Sequence, residues 1–197
     1  MKAGAGKRKG GNFENKMCKA LSLWWSEGER DDLFARTASS GGRFTQRRKT
    51  NKDTANQEGD ITSTTPEGLL LIHACCLEMK NGYKNWSIMD ILDKPERKGK
   101  STPQTFELFY QQANENKNKW PVIIAKKDGR KELIFYPIEM HRKICSVSCL
   151  NIPQHLVYRT GENALVDVTM IGMNLYDFFD WAYVKGFKAI LKKGNKK

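Results

Sequence analysis

No apolar run in the 197-residue chain approaches the roughly 18 residues that a membrane-spanning helix needs. The first ten residues, rich in Lys and Gly, lack the apolar core of a secretory signal. The five cysteines are an odd number in a chain without an export signal, so reduced thiols are expected rather than a disulfide framework. These absences predict a soluble protein of the cytoplasm. Internal repeats and a clean domain boundary are missing too, and the length suits one elaborated domain.

Acidic residues are also scarce, with 22 Asp and Glu against 34 Lys and Arg, a formal charge of +12 that suits a polyanion such as DNA or RNA. The excess recurs at Lys7, Arg8 and Lys9, at Arg43, Arg47, Arg48, Lys49 and Lys52, and at Lys192, Lys193, Lys196 and Lys197. One such run reads as a solvated face, but several flanking one candidate site read as a nucleic-acid surface. Trp86, in Tyr83-Lys84-Asn85-Trp86, is the best candidate to stack on an exposed base. Residues 1–10 are too small and basic to order without a partner and predict a flexible arm. A single domain over 11–191 should follow, with a mobile basic loop at 43–57 and a basic tail at 192–197.

The remaining residues carry periodic order. Asn12 is placed to cap a helix whose buried side holds Phe13, Met17, Leu21 and Trp24. After Arg36, small residues and glycines predict a loop. Gly59-Asp60-Ile61-Thr62 begins a strand, and Pro66-Glu67-Gly68 reads as a turn into a second strand over Leu69 to Leu77, ending in Glu78-Met79-Lys80. That run is apolar on both faces, as in a central strand covered on each side, so the expected class is α/β. A helix over 102–117, strands over 121–125 and 133–136, β-rich pieces around 144–150, 155–159 and 164–170, and a last helix from Leu175 to Leu191 complete the reading.

Glu78 and Lys80 stand two positions apart, so they emerge on one face of their strand. Burying an unpaired charge there costs several kcal/mol, so such groups persist when paired or when they bind a metal. Asp60, at the end of the preceding strand of the expected hairpin, supplies a third group. Two adjacent carboxylates repel unless a cation neutralises them, and Mg²⁺ takes oxygen ligands while keeping positions for water and phosphate. Asp60 and Glu78 are therefore candidate Mg²⁺ ligands, with the Met79 carbonyl as a further one and Mn²⁺ able to substitute. Lys80 would orient the attacking water or help to deprotonate it. The competing explanation of Glu-x-Lys alone is a salt bridge at a strand end.

The order of parts adds weight: a helix with Glu14, Arg36 with a Ser/Gly loop, Gly59-Asp60, a hairpin, then Leu77-Glu78-Met79-Lys80. It resembles the PD-(D/E)XK nucleases, in particular archaeal Holliday junction resolvases and related phage endonucleases. Phe109-Tyr110-Gln111-Gln112-Ala113 followed by Pro121-Val122-Ile123-Ile124 likewise resembles the family's Gln-bearing helix and next strand. The resemblance implies a restriction-endonuclease-like fold, a central mixed sheet flanked by helices, here with a long basic loop and C-terminal elaborations. It implies that Glu14 joins the metal-and-water network, that Gln112 belongs to the site, and that Arg36 with Ser39 or Ser40 contacts the scissile phosphate. The activity it implies is Mg²⁺-dependent DNA endonuclease, structure-selective on branched DNA, by a homodimer. A sequence-specific restriction-type endonuclease and a non-catalytic basic nucleic-acid-binding protein are the competing functions. The family's Pro before the motif aspartate is Gly59 here, and the region after residue 140 is longer than in compact resolvases.

His141, Cys145, Cys149 and His155 contain no Cys-x-x-Cys pair, so zinc is not favoured. His73, Cys75 and Cys76 read as strand core.

Overall fold

The computed structural model describes residues 5–37, 58–82, 87, 106–114, 116, 118–148, 151–160 and 168–194. Ser39, Ser40, Arg43, Arg47, Arg48, Lys49, Lys52, Trp86 and Cys149, with the expected loop at 43–57 and the last residues of the tail, lie outside the described residues. Helix α1 (Ala5–Trp25) buries Phe13, Met17, Cys18, Leu21, Trp24 and Trp25, the spacing of one helix face. It starts before Asn12, which is exposed inside the helix rather than capping it, so residues 5–10 of the expected arm are helical. Gly10 and Gly11 are poor helix formers. Tertiary contact overrides that preference, since Gly11 lies under the guanidinium of Arg36, with room for a Cβ only 3.0 Å from Nη1.

Strand β1 (Phe34–Arg36) pairs antiparallel with β2 (Ile61–Ser63), Arg36 opposite Ile61. The expected turn and long strand then give way to helix α2 (Pro66–Ala74) followed by β3 (Cys75–Asn81). Thr65 is extended and its side chain accepts the Gly68 N–H at 3.4 Å, while Pro66 fills the first helical turn, where its missing N–H costs nothing. The run from Leu69 to Leu77 has no period to reveal this change of state, because it is apolar almost throughout.

Helix α3 (Phe106–Ala113) precedes β4 (Trp120–Lys126), which is parallel to β3; β5 (Leu133–Pro137) is antiparallel to β4. Helix α4 (Ile138–Cys145) occupies part of a region expected to be β-rich. Strands β6 (His155–Thr160) and β7 (Val168–Asn174) follow, then α5 (Leu175–Trp181) and α6 (Val184–Gly194). The single last helix expected is thus broken after Trp181, where Ala182 turns extended and Ser148 Oγ takes the Tyr183 N–H at 2.9 Å.

The five-stranded sheet has the order β3-β4-β5-β7-β6 and is mixed. Alternation sorts its side chains: Leu77, Met79, Val122, Ile124, Ile134 and Tyr136 join α1, α2, α5 and α6 in the larger core. Ile123, Ala125 and Phe135 meet Phe106, Phe109 and Tyr110 of α3 on the other face. This is the α/β, restriction-endonuclease-like architecture that the sequence implied. Among the described residues, no helix is long and apolar enough to cross a membrane.

Candidate active site

Among the described residues, strand β3 ends the sheet, with β4 on one side only. Its other edge is met by Asp60, whose backbone N–H donates to Leu77 O at 2.8 Å and whose Oδ2 accepts the Met79 N–H at 2.7 Å. Asp60 O in turn accepts the Thr37 N–H at 2.9 Å, which ties this residue to β1. Asp60 immediately precedes β2 rather than closing a strand of a hairpin. Gly59 explains the missing family Pro. Its φ is +74°, a Cβ there would stand 2.6 Å from Leu77 O, and Pro is confined to negative φ.

Along β3, Cys76, Glu78 and Lys80 share one face. Lys80 Nζ is paired with Glu78 Oε1 and stands 5.5 Å from the centroid of the Phe109 ring, so α3 roofs the pair. Both side chains are largely enclosed, 7% exposed for Lys80 and 13% for Glu78. In an extended strand the carbonyl of a residue points to the same edge as its N–H, so the Met79 carbonyl faces the edge that Asp60 occupies.

Burial, then the Glu78 charge, pushes the Asp60 carboxyl up to about 7; the Met79 N–H and Lys80 oppose the shift, and Glu14 adds to it. Glu14, half-buried on α1, accepts Arg36 Nε at 2.5 Å. The structure therefore brings Glu14, Arg36, Asp60, Glu78 and Lys80 into one electrostatic neighbourhood. Gln112 lies one turn beyond Phe109 on α3, and its Oε1 is buried without a hydrogen-bond partner among the described residues. Lys9 pairs with Asp128; Lys7 and Arg8 belong to α1.

Among the described residues, no three His, Cys, Asp or Glu side chains form a ready cage for a metal ion. The donors still fit a hard divalent cation. Burial and the Glu78 charge raise the proton affinity of Asp60, the Met79 carbonyl faces the same edge, and Asp60 Oδ1 stands outside the bond to Met79. Mg²⁺ needs few protein oxygens because it keeps much of its water. The residues weighed for zinc lie elsewhere: His141 Nδ1 meets the Tyr136 hydroxyl at 3.1 Å, His155 Nδ1 meets Pro153 O at 2.9 Å, and Cys145 carries a free thiol.

Sequence reasoning passed over Thr37, Phe109 and the ion pair between Glu58 and Lys119 beside Asp60. Only Glu58 had a local signal, its place two residues before the motif aspartate.

No curated protein and no solved structure matches the chain. Residues 5–184, nearly the whole fold described above, match the family model described as "Phage putative PDDEXK endonuclease", and the chain belongs to that family.

Proposed function

We propose that the protein is a Mg²⁺-dependent DNA endonuclease, selective for branched DNA and active as a homodimer, with Mn²⁺ able to replace Mg²⁺. The observation that carries the hydrolytic reading is the Asp60 carboxylate, fixed on the edge of β3 by the Met79 N–H and destabilised as an anion by burial and then by Glu78. Such a carboxylate is a good ligand for a cation and a poor partner for anything apolar.

Asp60, Glu78 and the Met79 carbonyl would hold the cation, with Glu14 in the surrounding water network. A divalent cation bound there supplies a water of lowered pKa and positive charge opposite the phosphate oxygens. Lys80, enclosed between Glu78 and Phe109, orients the attacking water or helps to deprotonate it. Arg36 uses Nε for Glu14 and retains the outer guanidinium N–H groups for a phosphate oxygen. Gln112 Oε1, buried without a partner among the described residues, is an acceptor for ordered water. Selectivity for branched DNA and a two-fold dimer rest on the likeness to junction resolvases and on the charge of +12.

The test is a cleavage panel of four-way junction, linear duplex and single-stranded DNA with Mg²⁺, Mn²⁺ or EDTA, alongside the mass of the free protein by light scattering. Junction cleavage by a dimer that EDTA abolishes is the expected result. Cleavage of linear duplex at a defined sequence would move the reading to a restriction-type enzyme, and DNA binding without cleavage of any form would reduce it to a binding protein.

A further inference from the structure

A second enclosed carboxylate–lysine pair lies beside the site. Glu58 Oε2 meets Lys119 Nζ, with only 11% and 10% of their side chains exposed. Glu58 is two residues before Asp60, on the open-edge side of β3, whereas Lys119 leads directly into β4 on the other side. To meet, the two side chains must cross the face of β3 near its start, since Cys75 is in register with Trp120. That face carries Cys76, followed two and four positions later by Glu78 and Lys80. Cys76 is itself buried there.

Asp60 is held from both directions along the chain. On its C-terminal side the anchor is the pairing of β2 with β1, with Thr37 N–H on Asp60 O. On its N-terminal side stands Gly59, whose positive φ is a conformation with little steric preference of its own. The anchor before it, among the described residues, is Glu58. An enclosed carboxylate is retained only while its partner neutralises it, so Glu58 stays where Lys119 holds it.

We propose that the Glu58–Lys119 pair is a clasp across β3 that positions the Asp60 carboxylate to receive a divalent cation. Glu58 is thus a positioning residue that acts through Asp60 and touches neither cation nor DNA. The inference rests on the endonuclease reading above for its effect on cleavage, but its effect on cation binding stands apart from it.

The experiment uses the full chain. Mn²⁺ binding to the DNA-free protein is measured by calorimetry, and kcat and KM are measured on the DNA form that the wild type cleaves, for the wild type, Glu58→Gln and the swap Glu58→Lys with Lys119→Glu. Glu58→Gln should weaken Mn²⁺ binding and lower kcat by about tenfold each, the size typical of residues that orient metal ligands, with KM for DNA unchanged. The swap should restore most of both losses. A folded Glu58→Gln protein with wild-type Mn²⁺ affinity overturns the proposal, as does a swap no better than the single variant. If Glu58→Gln fails to fold, Glu58→Asp keeps the charge but shortens its reach; unchanged Mn²⁺ affinity there is equally fatal. If the wild type binds Mn²⁺ and cuts nothing, the endonuclease reading falls and the calorimetry alone decides the clasp.

Discussion

Asp60 and Glu132 are buried to the same depth, 6% and 5% exposed, yet their surroundings drive them in opposite directions. Burial by itself raises the proton affinity of both. At Glu132, hydrogen bonds from Lys126 at 2.8 Å and Lys16 at 2.7 Å overcome that effect and pull the carboxyl down to about 2. At Asp60 the next largest influence is another carboxylate, and the carboxyl rises to about 7. Depth of burial therefore does not separate scaffold from site in this protein. The balance of neighbouring charge does: Glu132 is complete within the fold, whereas Asp60 lacks positive charge that a cation would bring.

The largest effect expected from this contrast is functional. Asp60→Asn should lower cleavage at least about a thousandfold, since several kcal/mol of charge stabilisation depends on the cation it holds. The same variant should melt no lower than wild type at neutral pH without metal, because it removes a repelled charge. Glu132→Gln should do the reverse, leaving kcat unchanged while destabilising the fold by about 1 to 2 kcal/mol, because Gln keeps an acceptor oxygen but its two lysine hydrogen bonds lose the carboxylate charge. The loss is modest because Lys16 and Lys126 can rehydrate, their side chains being 53% and 30% exposed. Urea melts and single-turnover assays on the same preparations check both, and the comparison collapses if Asp60→Asn unfolds the protein or Glu132→Gln impairs kcat.

A smaller effect concerns pH. A carboxyl whose folded pKa is raised binds more protons in the native state, so between the ordinary Asp range and about 7 metal-free stability should fall as pH rises. Glu132 has the opposite sign: its contribution is present above the ordinary Glu range and is lost as pH falls towards about 2. The slope between pH 4 and 7 should flatten in Asp60→Asn and on addition of Mg²⁺, but persist in Glu132→Gln. Equal slopes in wild type and Asp60→Asn would show that Asp60 is not the group titrating.

The smallest effect sits at the margin of the site. Arg36→Lys keeps the charge but loses the planar fork that spans Glu14 and a phosphate, so DNA binding should weaken by roughly threefold to tenfold. Mn²⁺ affinity should not move; a loss there would make Arg36 part of the cation site and blur its separation from Asp60.

The closeness of Asp60, Glu78 and Lys80 was legible because it is written in short-range order: a Gly-Asp pair, an apolar run, and Glu-x-Lys at the strand period. Strands β4 and β5 were legible for the same reason. Helix α2 was not, because the run from Leu69 to Leu77 is apolar almost throughout and so carries no period, although Thr65-Pro66 carried its start signal. The beginning of α1 was hidden by two glycines whose helical state depends on Arg36, a residue distant in sequence. The Glu58–Lys119 contact was invisible for a stronger reason. It joins residues brought together only by the parallel pairing of β3 and β4, and no local pattern encodes a parallel register.

The open edge of β3 has a consequence for handling the protein. An uncovered strand edge is a template on which another chain can add, the first step of aggregation. Asp60 blocks it twice, with its own N–H on Leu77 O and its carboxylate on the Met79 N–H. The residue best placed for the chemistry thus also keeps the molecule from sticking to itself. An inactive protein for co-crystallisation with DNA should therefore retain an acceptor at this position, as Asn does, because Ala would silence the site and unseal the sheet in the same stroke.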